Sequence, residues 1–500
     1  MMHRREFIRL GAAGLVSASV PHLIFSSVKS KVSPTNRPNI VLIMTDEHRR
    51  DCVGAYGAQT VRTPHLDRLA ARGVVFEQFY ATCPLCAPTR TALATGRYPH
   101  QNGLLLNKSG LPGEKFAVLG QNEEVMTGIL ARNGYAVAQF GVDHVRTDPP
   151  LRKAGYFTAW GNQSDYRKYL ASHGISEMDM TAYKHYCQVI LDGQLQEVRY
   201  SSPKPGVHSV PPEHFWDTWI ADQAVNFIEN YEGKDPFALN CFFWLPHPPV
   251  AVPEPYYSMY APGDVDPSPN LMAPLTDKPQ LHLRHAPGQL GRLRDRQGWL
   301  ETAAVYYGMV TMADACIGRV LDALEKKGLM ENTLVIFLTD HGDQLGSHTL
   351  FQKMVCYQES IHLPCIMHVP GVAPGRRTQL ASHVDLLPTI LDYAGVSIPG
   401  QVAGRSLRAA IEDPSVSSTE AVFAEYNGNF ALSHFQRAVI TGRYKYIENE
   451  GDISELYDLS EDPCELQNLK GKLGAEIELE LQNLLHSWQR STNDFLAFRY

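Results

Sequence analysis

Residues 39-NIVLIMTDE-47 decide how this chain is read. A short apolar run stops abruptly at two carboxylates, Asp46 and Glu47. Such a run reads as a strand buried on both faces, as in a parallel sheet covered by helices. Three further runs share the form: 135-YAVAQFG-141, 237-FALNCFFWL-245 and 333-TLVIFLT-339. The second is followed by His144, the third by His247, and the fourth by Asp340 and His341. Open parallel sheets bind ligands outside the carboxyl ends of their strands, so these acids and histidines are expected to converge on one site.

Helical patterns fill the intervals. Met309, Ala313, Cys316, Ile317, Val320, Leu321 and Leu324 recur at helical spacing ahead of Gly328, which stands where a C-terminal cap is expected. Ile220, Ala224, Phe227, Ile228 and Tyr231 share a second face. The alternation predicts an α/β class, with a large mixed, mostly parallel sheet sandwiched by helices. Downstream, 438-AVITGRYKYI-447 and 456-LYDLSEDPCELQNL-469 predict a small antiparallel sheet. Ile477, Leu481, Leu484, Leu485 and Trp488 form a helical stripe that packs on it. The expected organisation is a leader and linker over 1–35, the large α/β domain over 36–400, and a smaller α+β domain over 401–500. The Pro- and Gly-rich segment Tyr260–Trp299, with Arg284, Arg292, Arg294 and Arg296, reads as a rim insertion, either solvated or touching substrate.

The composition is that of an ordinary globular chain, 44% hydrophobic and 20% charged. A formal charge of −8 argues against a nucleic-acid partner, and an anionic ligand would need local cations. The first residues, MMHRREFIRLGAAGLVSASV, resemble a twin-arginine export signal, with Arg4 and Arg5 followed by Phe7 and Ile8. Ser17-Ala18-Ser19 offers a small-residue cleavage site, and the apolar run is too short to cross a bilayer. The alternatives are an uncleaved anchor or a chance basic start. The expected location is periplasmic or extracellular, with no membrane association beyond export. The nine cysteines are thinly spread and do not read as a disulfide scaffold.

Two of those cysteines fall in 83-CPLCAPTRTALATG-96. Pro88 suits a first helical turn and Gly96 the position past a helix end, so Cys86 is placed at a helix N-terminus with Arg90 one turn on. Orphan N–H groups and the positive dipole end there favour an anion. A C-x-x-C redox pair and a metal clip are the competing readings, and no second Cys/His pair supports a clip. Asp46-Glu47 alone could cap a helix, but the matching pair Asp340-His341 points to a shared site instead.

Cys86-x-Pro88-x-Arg90 followed by Leu93-x-Thr95-Gly96 resembles the signature of type I sulfatases of the alkaline phosphatase superfamily. Similar blocks recur in order at 37-RPNIVLIMTDEHRRD-51, 96-GRYPH-100, 246-PHPPVAVPEPYY-257, 339-TDHGDQLGSH-348, 387-LPTILDYAG-395 and 456-LYDLSEDP-463. The resemblance implies that a maturase converts Cys86 to Cα-formylglycine. One hydroxyl of its hydrate attacks sulfur and the other drives sulfate release. It implies Asp46, Glu47, Asp340 and His341, with position 86, as ligands of one divalent cation, Ca²⁺ first and Mn²⁺ or Mg²⁺ as alternatives. Arg90 and Lys353 would bind sulfate oxygens, and His144 and His247 would move protons. Cys83 is left as buried packing. The sequence departs from the common pattern at Glu47 and His341, usually Asp and Asn, and at Val142, where a lysine is usual. Arg146 or Lys108 could substitute for that lysine. The implied reaction is hydrolysis of a sulfated small molecule or glycan. The alternatives are phosphonate or phosphate ester hydrolysis and glycan binding without turnover.

Overall fold

The computed structural model describes residues 37–107, 115–120, 122–191 and 194–497; the leader over 1–35 and Lys108 lie outside the described residues. From Arg37 onward the chain forms one compact unit. The main sheet comprises β1 (Asn39–Thr45), β2 (Val74–Tyr80), β3 (Ala136–Gly141), β4 (Phe157–Gly161), β5 (Phe237–Phe242), β6 (Thr333–Thr339), β7 (His362–Leu363), β8 (Cys365–His368) and β9 (Gly375–Ser382). Its order is β7-β2-β8-β6-β1-β5-β3-β4, with β9 beside β2.

The four runs read from the sequence are consecutive parallel neighbours, β6-β1-β5-β3, at the centre of this sheet. Every residue of β1, β5 and β6 is buried, which is why they lack the alternation of a sheet with one wet face. Thr45 pairs with Thr339, so β1 and β6 end level and deliver Asp46 and Asp340 side by side. β7 runs antiparallel to β2, and β8 antiparallel to both β2 and β6, which makes the sheet mixed.

Helices cover both faces. On one, Arg296–Lys326 and Trp216–Asn230 bury Ile317, Val320 and Leu321 with Ile220, Ala224 and Ile228 against Val41 and Ile43. On the other, Met126–Arg132 and Leu386–Tyr393 meet Ile40, Leu42 and Met44. The long helix begins well before its legible stripe, capped by Asp295, which accepts from the Gly298 N–H at 2.8 Å. It ends ahead of Gly328, whose φ of 67° turns the chain away.

Near the C-terminus β10 (Val422–Tyr426), β11 (Gln436–Ile440), β12 (Tyr444–Asn449) and β13 (Glu455–Asp458) form a separate antiparallel sheet in sequence order. The helix Ala475–Ser491 buries Leu481, Leu485 and Trp488 against it, as its stripe predicts. Tyr260–Trp299 differs from the simple rim insertion its composition predicts. Lys278 is buried and donates to Tyr457 Oη at 2.7 Å and the Glu465 carbonyl at 2.5 Å, pinning the segment to the smaller sheet. Arg292 bonds carbonyls of its own segment, and Arg296 opens the long helix.

Candidate active site

Five loops at the carboxyl ends of the sheet build one buried site. Asp46 and Glu47 follow β1, Asp340 and His341 follow β6, and all four are inaccessible to solvent. They cap no helix: the next helical turn starts at Arg50, with Arg49 as its cap. Cys86 opens the helix Cys86–Thr95 beyond β2, as Pro88 and Gly96 predict, and Gly96 takes φ 64°. The Ala87 N–H of its first turn donates to Asn107 Oδ1 at 3.0 Å. All nine cysteines are unbonded, so the C-x-x-C forms no disulfide, and Cys83 is fully buried and separate from the donor cluster that holds Cys86.

Around Cys86 the distances are short. Its Sγ lies 3.0 Å from His341 Nε2 and 3.7 Å from Asp46 Oδ1. Arg90 bridges the two aspartates, Nη2 to Asp46 Oδ2 at 3.0 Å and Nε to Asp340 Oδ2 at 2.8 Å. Asp340 Oδ1 accepts from the backbone of Glu47 at 3.2 Å and His341 at 2.8 Å. Glu47 holds φ 67°, a strained value for a side chain with Cβ, fixed by its carbonyl accepting from Tyr306 Oη at 2.6 Å. Glu47 Oε2 accepts from Lys353 Nζ at 2.7 Å, and Lys353 also reaches His247 Nε2 at 3.0 Å.

Lys353 arrives on a segment where Leu345, His348, Thr349, Gln352 and Met354 all have positive φ. Asp343 organises it, accepting from the N–H groups of Leu345 at 2.6 Å and Gln352 at 3.2 Å. His144 and His247 line a cavity of about 610 Å³ beside the site, with Trp216, Trp244, Asp143 and Arg146. Val142 packs in the apolar core at the edge of the cavity and supplies no cation there, while Arg146 lines the same cavity. The structure thus brings together Asp46, Glu47, Cys86, Arg90, His247, Asp340, His341 and Lys353, with His144 on the wall of the adjoining cavity. Asn107, Asp343, Tyr306 and Trp244 escaped the reading of the sequence because their roles depend on partners remote in the chain or on backbone contacts.

The family model described as Sulfatase matches residues 38–396. The chain belongs to the sulfatase family. A second model, described as N-sulphoglucosamine sulphohydrolase, C-terminal, matches residues 346–491. An arylsulfatase of Clostridium perfringens is 28% identical over 459 residues, 87% of this chain and 90% of that protein. An N-acetylglucosamine-6-O-sulfatase of Bacteroides thetaiotaomicron is 26% identical, over 92% of this chain and 88% of that protein. The phosphonate monoester hydrolase of Agrobacterium radiobacter has the same fold, with a TM-score of 0.76 and 24% identity over 91% of this chain and 96% of the other.

Charge is tightly constrained in this sulfatase. Burial, then Asp340, raises the Asp46 carboxyl against the pull of Arg90. Burial also acts on Asp340, but Arg90 overcomes it and holds that carboxyl well below the usual range. Burial raises Glu47 despite Lys353. Burial, reinforced by Asp46, pushes the Cys86 thiol far up, so the unmodified side chain stays protonated and is a poor nucleophile. Burial keeps His144 and His247 neutral, with Arg90 and Lys353 respectively adding to the effect.

These residues fit a divalent cation. Asp46, Cys86, Asp340 and His341 each bring one donor atom within 4.8 Å of the others, and Asp46, Glu47 and His247 form a second such group. His341 Nδ1 meets the Gly342 carbonyl at 3.1 Å, which can only accept, so Nε2 turns its lone pair to the centre. Glu47 Oε1 is buried with no hydrogen-bond partner. Three carboxylates and one imidazole suit a hard cation such as Ca²⁺, Mg²⁺ or Mn²⁺.

Proposed function

We propose that this sulfatase hydrolyses a sulfate ester of a carbohydrate or small alcohol, with position 86 as nucleophile after conversion of Cys86 to Cα-formylglycine by a maturase. The observation that carries the reading is the placement of Cys86 on a helix N-terminus, 3.0 Å from His341 and 3.7 Å from Asp46. Burial and the neighbouring carboxylates push that thiol up, and an aldehyde hydrate would supply an oxygen nucleophile in its place. Asp46, Glu47, Asp340 and His341 would hold the cation, Ca²⁺ by preference for carboxylate oxygens. When bound, it would supply Lewis-acid activation and charge neutralisation.

The chain's own residues divide the remaining work. Arg90 and Lys353 present buried cations where sulfate oxygens gain charge. His144, neutral and with Nδ1 unpartnered, would take the proton released at the nucleophile. His247 Nδ1 meets the Pro248 carbonyl at 2.6 Å and so carries hydrogen, which leaves Nε2 sharing a Lys353 proton at 3.0 Å. That proton would be relayed from Lys353 through His247 Nε2 to the leaving oxygen, leaving a neutral amine that regains a proton from solvent after the product departs. The adjoining cavity, with aromatic and polar walls, suits a sugar ring. The named activity of the Bacteroides thetaiotaomicron relative supports a sulfated sugar.

The test is sulfate release from a panel of sulfated mono- and oligosaccharides by protein made with a maturase, alongside the mass of the Cys86 peptide. An unmodified Cys86 in active protein would overturn the mechanism. A second reading, phosphonate or phosphate ester hydrolysis, is favoured by His341, an imidazole where the common pattern has an amide. The ratio of aryl sulfate to aryl phosphonate turnover decides between them. We also propose export through the leader; retention of an Arg4→Lys, Arg5→Lys variant in the cytoplasm would support it, and unchanged export would refute it.

A further inference from the structure

Asp217 is fully buried in the first turn of the helix Trp216–Asn230, and among the described residues no lysine, arginine or histidine forms an ion pair with it. A buried carboxylate without a counter-charge is costly unless hydrogen bonds compensate. Its Oδ1 accepts from two consecutive backbone N–H groups, Trp244 at 2.9 Å and Leu245 at 2.9 Å, while Oδ2 has no partner. The carboxylate is thus aimed across to another segment, the turn that follows β5.

That turn ends at His247. The His247 N–H donates to the Trp244 carbonyl at 3.0 Å, and the two rings pack with centroids 4.0 Å apart. The Leu245 carbonyl accepts from the Asp46 N–H at 3.3 Å. One carboxylate oxygen therefore fixes the start of a four-residue turn that carries His247 and touches Asp46.

We propose that Asp217 is a positioning residue for His247, holding its Nε2 where the leaving oxygen departs. The proposal rests on the reading of His247 as the group that hands over the leaving-group proton. Asp217 touches no substrate, and its effect passes through the main chain of Trp244 and Leu245.

The test exploits leaving-group chemistry. A 4-nitrophenolate departs unaided, whereas phenolate needs its proton, so loss of His247 placement penalises phenyl sulfate far more than 4-nitrophenyl sulfate. With matured enzyme, Asp217→Ala is expected to lower kcat for phenyl sulfate at least roughly ten-fold more than for 4-nitrophenyl sulfate, a fraction of a full general-acid effect. Asp217→Asn keeps the accepting oxygen and restores selectivity to within about three-fold, since both N–H groups remain paired. Should Asp217→Ala fail to fold, Asp217→Glu, longer by one methylene, is expected to show the same selective loss. Equal loss on both substrates, or none, overturns the positioning role when His247→Ala shows the selective loss. Equal loss in His247→Ala overturns instead the assignment of His247 on which the proposal rests.

Discussion

Lys353 Nζ lies 3.0 Å from His247 Nε2, so an ammonium and a neutral imidazole share one hydrogen while Glu47 at 2.7 Å neutralises the cation. Burial pulls the lysine down, but the charges of Glu47 and Asp46 and the hydrogen bond to Glu47 outweigh it and keep it charged. Lys353→Met is therefore expected to lower kcat/KM by roughly 10²-fold or more, as loss of a preorganised cation does. Steady-state kinetics on 4-nitrophenyl sulfate check this, and an unchanged kcat/KM would remove Lys353 from the site chemistry.

Cys86→Ala and Cys86→Ser are expected to leave no turnover. The serine variant is the instructive case, because a buried hydroxyl next to the same cations lacks the second oxygen of an aldehyde hydrate. Residual sulfate release by Cys86→Ser comparable to the parent would show that modification is dispensable.

Arg90 is the cation that bridges Asp46 and Asp340. Its removal strands two buried carboxylates, so Arg90→Ala is expected to destabilise the metal-free protein by roughly 3–5 kcal/mol. Saturating Ca²⁺ or Mn²⁺ should return part of this, because a ligand at 1,000 times its Kd adds about 4 kcal/mol. Thermal unfolding with chelator and with added cation measures both. A Tm that ignores divalent cations in parent and variant alike would argue against a cation site.

Val142 is buried among apolar neighbours immediately after β3, where the family pattern places a lysine. Val142→Lys is expected to raise kcat/KM if the side chain reaches the site, and to lower Tm because an ammonium enters an apolar cluster. Lower activity at an unaltered Tm would show that the site is already complete without it.

Stability should fall as pH rises through a window set in part by Asp314. This residue of the long helix accepts from the Leu66 N–H at 2.8 Å and the His65 N–H at 3.1 Å, and burial pushes its carboxyl from 3.8 up to about 7. Below pH 4 both folded and unfolded chains hold the proton. Between 4 and 7 the unfolded chain releases it and the folded one does not, so unfolding is favoured progressively. Asp314→Asn should flatten this slope while costing about 1 kcal/mol for the imperfect hydrogen bond. Denaturant titrations at pH 4.5, 6 and 7.5 compare the two; an undiminished slope in the variant would reassign the titration elsewhere.

The centre of the fold was legible because a strand buried on both faces must be apolar throughout, and a catalytic acid cannot sit inside it. The sequence therefore breaks sharply at Thr45, Gly141 and Thr339. The neighbours of each strand were not legible, since β1 and β6 are almost 300 residues apart and pair through backbone groups common to all residues. Cys86 and Arg90 were visible because Pro88 and Gly96 write helix boundaries locally. Asp217, Asp343 and Tyr306 were invisible for the opposite reason: each acts on main-chain atoms of a distant or turn segment, and an N–H or C=O carries no residue signature. Tyr260–Trp299 misled because Pro and Gly mark a loop equally well on the surface and threaded between packed layers, and buried residues such as Asn270, Lys278 and His282 distinguish them.

All ten residues of the helix Cys86–Thr95 are buried, with Cys86 at 2% exposure. An enzyme that must grip several residues around that cysteine finds none of them once the chain has folded. Under the conversion proposed for Cys86, modification and folding would compete for the same nascent segment, and the active fraction of a preparation would record which arrived first. Slower synthesis or delayed collapse would then raise that fraction without altering a single residue, and protein folded before it met a maturase would be native in every spectroscopic respect and inert.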